Sequence, residues 1–325
     1  MNRTKGIIYP VGIGHSRKHI TAEAREVLAT VDVVAGHYGF IEMAREYINP
    51  KAQILDAREV RTRAASFEEC QKNRVAACAV QALAGKSVAV LSGGDAGIWG
   101  QAAVLLQAGQ AHDWAFDVKV VPGIPSMVAV AARLGAPLMN GFTVISVGDE
   151  DTPFDVTEQR LRGAAMGGGT VVLYKLILEN TACPQLYPKD EYPELYPPME
   201  KTWFRLERTF DILQEYVPLD RPMAVVTDVH EQTSRYSVSP ELLGSDTGKE
   251  SIVISTLADF MKQAKAFRFF TTVILGEEMT RQYGDLLVSP QANYRWEYDP
   301  AMIAEIHTMP CLKTQNQFFE TGVQP

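Results

Sequence analysis

The run Gly93-Gly94-Asp95-Ala96-Gly97-Ile98 follows the apolar stretch Val88-Ala89-Val90-Leu91 without a break. Such a valine-rich run reads as a buried strand, and the glycines end it because they offer no side chains to pack. An open loop at the carboxyl edge of a sheet lets a ligand approach the backbone, and Asp95 supplies one charge that accepts hydrogen bonds from a polar ligand. The other reading of Asp95 is structural, with its carboxylate bonded to amides of its own loop. Two further glycine-bearing loops follow short strand-like runs: Val11-Gly12-Ile13-Gly14, and Val121-Pro122-Gly123-Ile124-Pro125-Ser126. His37 comes directly after a fourth such run, Val31-Asp32-Val33-Val34-Ala35-Gly36. An imidazole titrates near neutrality, so His37 is read as an acid–base residue or as a hydrogen-bonded rim histidine. Arg17-Lys18-His19 and the group Arg58, Arg61 and Arg63 are cationic clusters able to receive the carboxylates of an acidic small molecule, or to stand as solvated faces.

Other chemistries are excluded by spacing. A dinucleotide fingerprint needs a third glycine at position 17, where the chain has Arg17, and a helix set directly on the turn. A phosphate-cradling loop fails as well, since Gly244 to Lys249 is one residue short and Val80 stands where Gly85-Lys86-Ser87 would need its first glycine. Cys70, Cys78, Cys183 and Cys311 form no paired motif, so neither a metal centre nor a disulfide is expected. A formal net charge of −8 opposes a surface devoted to nucleic acid, though not a local cationic cluster. No uncharged apolar run reaches membrane-spanning length, and no signal-peptide pattern precedes the first strand, so a cytoplasmic protein with no membrane partner is expected.

The elements that must position these residues follow in order. Ile7 to Val11 predicts a strand, Thr21 an N-cap, and Phe67 to Leu83 a helix. After the Gly-Gly-Asp loop come a helix over 101–108, a strand over 118–121 and a small-residue helix over 129–134. Repeated strand, loop and helix units predict an α/β fold with a parallel sheet covered on both faces. Beyond Leu138 the pattern restarts with strands over 142–147, 170–174, 223–226, 251–254 and 271–275, whose spacing suggests a mixed sheet. The expected organisation is therefore an N-terminal domain over 1–138, a C-terminal domain over 139–290 with a Pro/Tyr-rich insertion at 178–203, and an irregular tail over 291–325. The lone His112, His230 and His307 are read as structural.

Together the three glycine loops resemble the signature loops of the tetrapyrrole methylases, the S-adenosylmethionine (SAM) enzymes of cobalamin and sirohaem synthesis. Leu134-Gly135-Ala136-Pro137-Leu138-Met139, Leu173-Tyr174, and Phe270 to Gly276 followed by Thr280-Arg281 resemble the branch that methylates precorrin-3B or cobalt-factor III at C17 with ring contraction. The resemblance covers roughly residues 7 to 291. It implies two αβα domains with a ligand cleft between them, a homodimer, and a tetrapyrrole acceptor. It also implies that SAM contacts Gly14, His15, Gly93, Gly94, Asp95, Ile98, Pro125, Ser126, Tyr174, Ala224 and Thr272. Arg17 and Lys18 are expected to bind the substrate's carboxylates. Tyr187, Tyr192, Tyr196 and Trp203 would stack on the macrocycle or form a dimer contact. Two departures stand out: Gly14-His15-Ser16-Arg17 replaces the usual Gly-Pro-Gly-Asp and is one residue shorter, and Lys175-Leu176-Ile177-Leu178 replaces Asn-Pro-x-Ser after the Leu-Tyr pair. Another acceptor on the same fold, or a SAM-binding module without catalysis, are the competing readings.

Overall fold

Val88 to Leu91 is buried on both sides because it forms the middle strand of a parallel sheet. The computed structural model describes residues 5–57, 67–149, 151–177, 199–229, 249–268 and 270–291, together with 293 and 301. Strands β1 (Ile7–Gly12), β2 (Val33–Gly36), β3 (Gln53–Asp56), β4 (Ser87–Ser92) and β5 (Asp117–Val118) make a five-stranded sheet in the order β3-β2-β4-β1-β5, with every pairing parallel. Side chains alternate between its faces. Val34, Ala89 and Leu91 pack with Ala24 and Leu28 of helix α1 (Ala22–Leu28) and Ile41 of α2 (Tyr38–Ala44). Val33, Val88 and Val90 pack on the opposite side with Cys78 and Ala79 of α3 (Phe67–Leu83) and Leu105 of α4 (Gln101–His112). Thr21 caps α1 as expected, its hydroxyl accepting from the Ala24 amide at 3.2 Å.

The strand expected over 118–121 is shorter, and Pro10 is the reason. It has no amide hydrogen to donate to Lys119, so the β1–β5 ladder lapses there. The ladder resumes where Val121 N donates to Pro10 O at 2.8 Å and Gly12 N donates to Val121 O at 2.9 Å. The helix expected over 101–108 runs on to His112 and ends at Asp113 in a left-handed conformation, φ 48°. The helix expected from 129 begins earlier, as α5 (Ser126–Leu134).

The second sheet is mixed. Strands β7 (Phe142–Ser146), β8 (Thr170–Tyr174), β9 (Pro222–Thr227), β10 (Ser251–Thr256) and β11 (Thr271–Leu275) lie in the order β10-β9-β11-β8-β7, and only β7 and β8 run parallel. This arrangement brings the carboxyl ends of β7, β8 and β9 to the same edge as the amino end of β11. One face packs on α6 (Phe154–Met166), α7 (Met199–Gln214) and α8 (Phe260–Ala264) through Leu161, Leu206 and Phe260. The other face packs on α5 through Ala129, Val130 and Leu134. Each sheet is thus the middle layer of an αβα sandwich.

A third small sheet was not expected from the sequence. In it β13 (Leu286–Val288) pairs with β12 (Arg281–Tyr283) and, in parallel, with β6 (Gly135–Ala136) just after α5. By contact the chain divides into Met1–Pro290, which holds both large sheets, and Gln291–Pro325. No helix among the described residues is long and apolar enough to cross a membrane. Arg58, Arg61 and Arg63, Tyr187, Tyr192 and Tyr196, Cys183 and Cys311, and His230 and His307 lie outside the described residues.

Candidate active site

The three glycine loops meet backbone against backbone. Gly14 and Gly94 exchange reciprocal amide–carbonyl hydrogen bonds, each 3.0 Å, with φ of 65° and 66°. That left-handed geometry suits glycine and lets two tight turns face each other. Beside this pair, a β-carbon added at Gly123 would lie 2.1 Å from Gly94 O and 2.6 Å from Gly12 C. No residue larger than glycine fits there.

Asp95 fastens the junction. Its Oδ1 accepts from Gly97 N at 2.8 Å, within its own loop, and its Oδ2 accepts from Gly123 N at 2.9 Å, across to the third loop. The structural reading of Asp95 therefore holds, and it extends beyond its own turn. His15 lies over the same point, since a β-carbon at Gly94 would be 3.2 Å from His15 Nε2. His19 packs against Gly14 in the same way, while Arg17 and Lys18 point outward as exposed residues of a short 3-10 turn.

The second sheet presents a row of residues toward α5: Ser146 opposite Tyr174, and Thr272 opposite Val226. Tyr174 joins the row to the junction. Its hydroxyl accepts from the Met127 amide in the first turn of α5 and bonds to Ser126, directly after Pro125 of the third loop. Trp99, at the far end of the Gly-Gly-Asp loop, holds its ring centroid 5.5 Å from that of Tyr174. The structure thus gathers Gly14, His15, Gly93, Gly94, Asp95, Pro125, Ser126 and Tyr174 around one junction, with Ile98 half-buried on the same loop and Thr272 in the adjoining row. Ala224 is set deeper, at mid-strand, packed among Val130, Val172 and Ile274 with no exposed surface.

The family described as Tetrapyrrole (Corrin/Porphyrin) Methylases matches residues 8–235. The chain belongs to the tetrapyrrole methylases. Its relatives in that family include the cobalt-factor III methyltransferase of Priestia megaterium, 27% identical over 296 residues that make up 90% of this chain and 46% of that protein. The precorrin-3B C(17)-methyltransferase of Sinorhizobium sp is 34% identical over 176 residues, 53% of this chain and 65% of that one. The probable cobalt-factor III C(17)-methyltransferase of Salmonella typhimurium is 27% identical over 282 residues, 86% of this chain and 97% of that one. The chain therefore spans about half the length of the first of these and nearly all of the third. The crystal structure of the methyltransferase CobJ shares the tetrapyrrole methylase fold, with a TM-score of 0.64 at 23% identity over 88% of this chain and 100% of that one.

His37 stands at the end of β2 as the N-cap of α2, its Nδ1 accepting from the Gly39 amide at 3.3 Å. An accepting Nδ1 places the proton of the neutral ring on Nε2. Serving as a base through Nε2, or carrying a second proton, requires that cap to open.

Sequence reasoning missed two residues that shape this edge of the tetrapyrrole methylase. Arg205 of α7 is buried, donates from Nη1 to Val147 O at 2.9 Å and Asp149 O at 3.1 Å, and stacks over Phe154. Val147 N in turn donates to Tyr174 O at 2.9 Å, so a buried cation props the strand end that carries Tyr174. Asp228, fully buried directly after β9 with φ 53°, meets Arg268 Nη1 at 3.3 Å. Neither belongs to a loop motif, and only the apolar residues flanking Arg205 on its helix hinted at its burial.

Burial pushes the Tyr174 phenol up from 10.0 to about 12, partly offset by its bonds from Ser126 and Met127. Because the folded value lies above the unfolded one, stability tied to this group is intact below about pH 10 and is lost as the pH climbs toward 12. Titration of tyrosinate absorbance should show one phenol that ionises only with unfolding in the wild type and is missing in Tyr174→Phe. A Tyr174 that ionised with the exposed tyrosines would contradict its place between the loops and the second sheet.

Proposed function

We propose that this chain is a SAM-dependent C-methyltransferase that acts on a tetrapyrrole, precorrin-3B or cobalt-factor III, at C17 with ring contraction in corrin assembly. The glycine junction, joined to the second sheet through Ser126 and Tyr174, carries this reading. The names of the Priestia, Sinorhizobium and Salmonella relatives support the acceptor.

The residues present fit the donor. Gly93, Gly94 and Gly97 keep side chains off the loop, Ile98 offers an apolar wall, and the Asp95 carboxylate, with one amide on each oxygen, keeps acceptor capacity for the donor. Gly14, His15, Gly93, Gly94, Asp95, Ile98, Pro125, Ser126, Tyr174 and Thr272 would hold SAM, with Ala224 packed beneath the row. When bound, SAM would supply its sulfonium methyl group to a carbon nucleophile attacking in line, the S–CH3 bond breaking as the new C–CH3 bond forms and S-adenosylhomocysteine leaving with the electron pair. The chain's own part is positioning: fixed loops that hold two reactants in line can remove about 7–11 kcal/mol of the barrier. His37 enters as the acid–base residue of this reading, a role in which its Nδ1 cap on the Gly39 amide must open. The working form in this reading is a cytoplasmic homodimer.

A polycarboxylate acceptor must be attracted by a chain of net charge −8, so local cations have to draw it in, and Arg17 and Lys18 are exposed beside the junction. Replacing both with Ala should raise the acceptor's KM about tenfold and flatten its salt dependence, with SAM affinity nearly unchanged. A fall in SAM affinity without a change in acceptor KM would move this turn to the donor side. The activity itself is tested by incubating the protein with SAM and a small panel of precorrins and cobalt-factors. Mass spectrometry should find one added methyl group on precorrin-3B or cobalt-factor III, together with S-adenosylhomocysteine. Calorimetric SAM binding with no turnover on any of them would identify a binding module without catalysis.

A further inference from the structure

Trp99 combines features that a residue kept only for the fold does not need. Its φ is 49°, in the left-handed region that bulky side chains enter only under strain. It remains 53% exposed, so its indole is not the core contact that would compensate that strain. The turn around it is tight: a β-carbon at the neighbouring Gly100 would lie 2.4 Å from Ala96 O. Glycine or asparagine would occupy position 99 at less cost. Yet the chain places its largest side chain there, against Tyr174 at an interplanar angle of 60°.

We infer that Trp99 is the platform on which the flat face of the acceptor macrocycle stacks. Tyr174 packs against the indole, which keeps 53% of its surface exposed, and Tyr174 is itself fixed to the first turn of α5. A conjugated ring with carboxylates at its perimeter needs a flat apolar surface for its face and cations for its rim, and offset aromatic stacking supplies the first. The strain holds the indole out at the junction instead of letting it fold onto the loop. The chemical class of the acceptor rests on the function proposed above; the strained, exposed indole does not.

The test measures binding separately from turnover. Uroporphyrin III serves as the macrocycle probe, titrated by its Soret absorbance with S-adenosylhomocysteine present, against wild type, Trp99→Phe, Trp99→Ala and Trp99→Gly. Trp99→Ala and Trp99→Gly should weaken uroporphyrin III binding about tenfold or more, whereas Trp99→Phe, which keeps an aromatic face, should stay within about threefold. Affinity for S-adenosylhomocysteine should hold within about twofold in all three, and the Tm of Trp99→Gly should fall by no more than about 2 °C because strain is released. Unchanged uroporphyrin III binding in Trp99→Ala and Trp99→Gly overturns the inference. An equal loss of S-adenosylhomocysteine affinity also overturns it, by assigning the indole to the donor. A large fall in Tm for Trp99→Gly, with Trp99→Phe equally weakened in binding, overturns it in favour of a scaffolding role. If the wild type binds uroporphyrin III in a Trp99-dependent way but turns over neither C17 acceptor, the proposed activity fails and the stacking platform stands.

Discussion

Gly123→Ala is expected to abolish measurable SAM binding and to destabilise the protein by about 3 kcal/mol, near the upper end for overpacking. The added β-carbon would lie 2.1 Å from Gly94 O, 2.6 Å from Gly12 C and 2.8 Å from Gly12 Cα. These are backbone atoms of two other loops, so no rotamer change relieves the clash and the loops themselves must part. Gly97→Ala is the matched comparison. Its β-carbon would meet only Asp95 Oδ1, at 3.2 Å, so a far smaller loss is expected. Denaturant unfolding and calorimetry on the pair decide the matter. A Gly123→Ala protein with wild-type stability and SAM affinity would mean that the three loops do not meet as described.

Asp95→Ala should follow close behind. It removes the acceptor of the Gly97 amide and of the Gly123 amide at once. Hydrogen bonds to a charged group contribute about 1.5–3 kcal/mol each, and Asp95 is half-buried, so a total loss of about 2–3 kcal/mol is expected. SAM affinity should fall at least about tenfold, because the loops that would hold the donor lose their tie. Asp95→Asn keeps one oxygen acceptor and should recover part of both effects. Calorimetry that returned wild-type SAM affinity for Asp95→Ala would show that the clasp is not needed at the donor site.

The Gly-Gly-Asp run, the Gly-x-Gly turn and the Pro-Gly-x-Pro-Ser run are legible as loops after strands, because apolar β-branched runs that stop at glycine or proline have little alternative. Their mutual contact was not visible, since Gly12, Gly94 and Gly123 are far apart in the chain and only parallel pairing of β4 with β1, and of β1 with β5, brings their strand ends together. The same applies to Asp95. Sequence offered its carboxylate to its own loop or to a ligand, and the structure adds Gly123 as a partner twenty-eight residues on.

The sequence by itself determined the α/β class, the parallel first sheet, the mixed second sheet and the N-cap at Thr21, because strand burial, helix periodicity and capping are local properties written in neighbouring residues. It also carried the family, whose match over residues 8–235 takes in all three glycine loops. Only the tertiary structure decided where α5 belongs. By position it closes the first half of the chain, but its Ala129, Val130 and Leu134 pack on Val172, Ala224 and Ile274 of the second sheet. Tertiary packing likewise decided that Arg205 is buried behind Tyr174, that β13 returns to pair with β6, and that Trp99 is held in a strained left-handed turn. Each of these depends on contacts between residues distant in the chain, whose free energy comes from burial and hydrogen bonding across the assembled layers and has no counterpart in local composition.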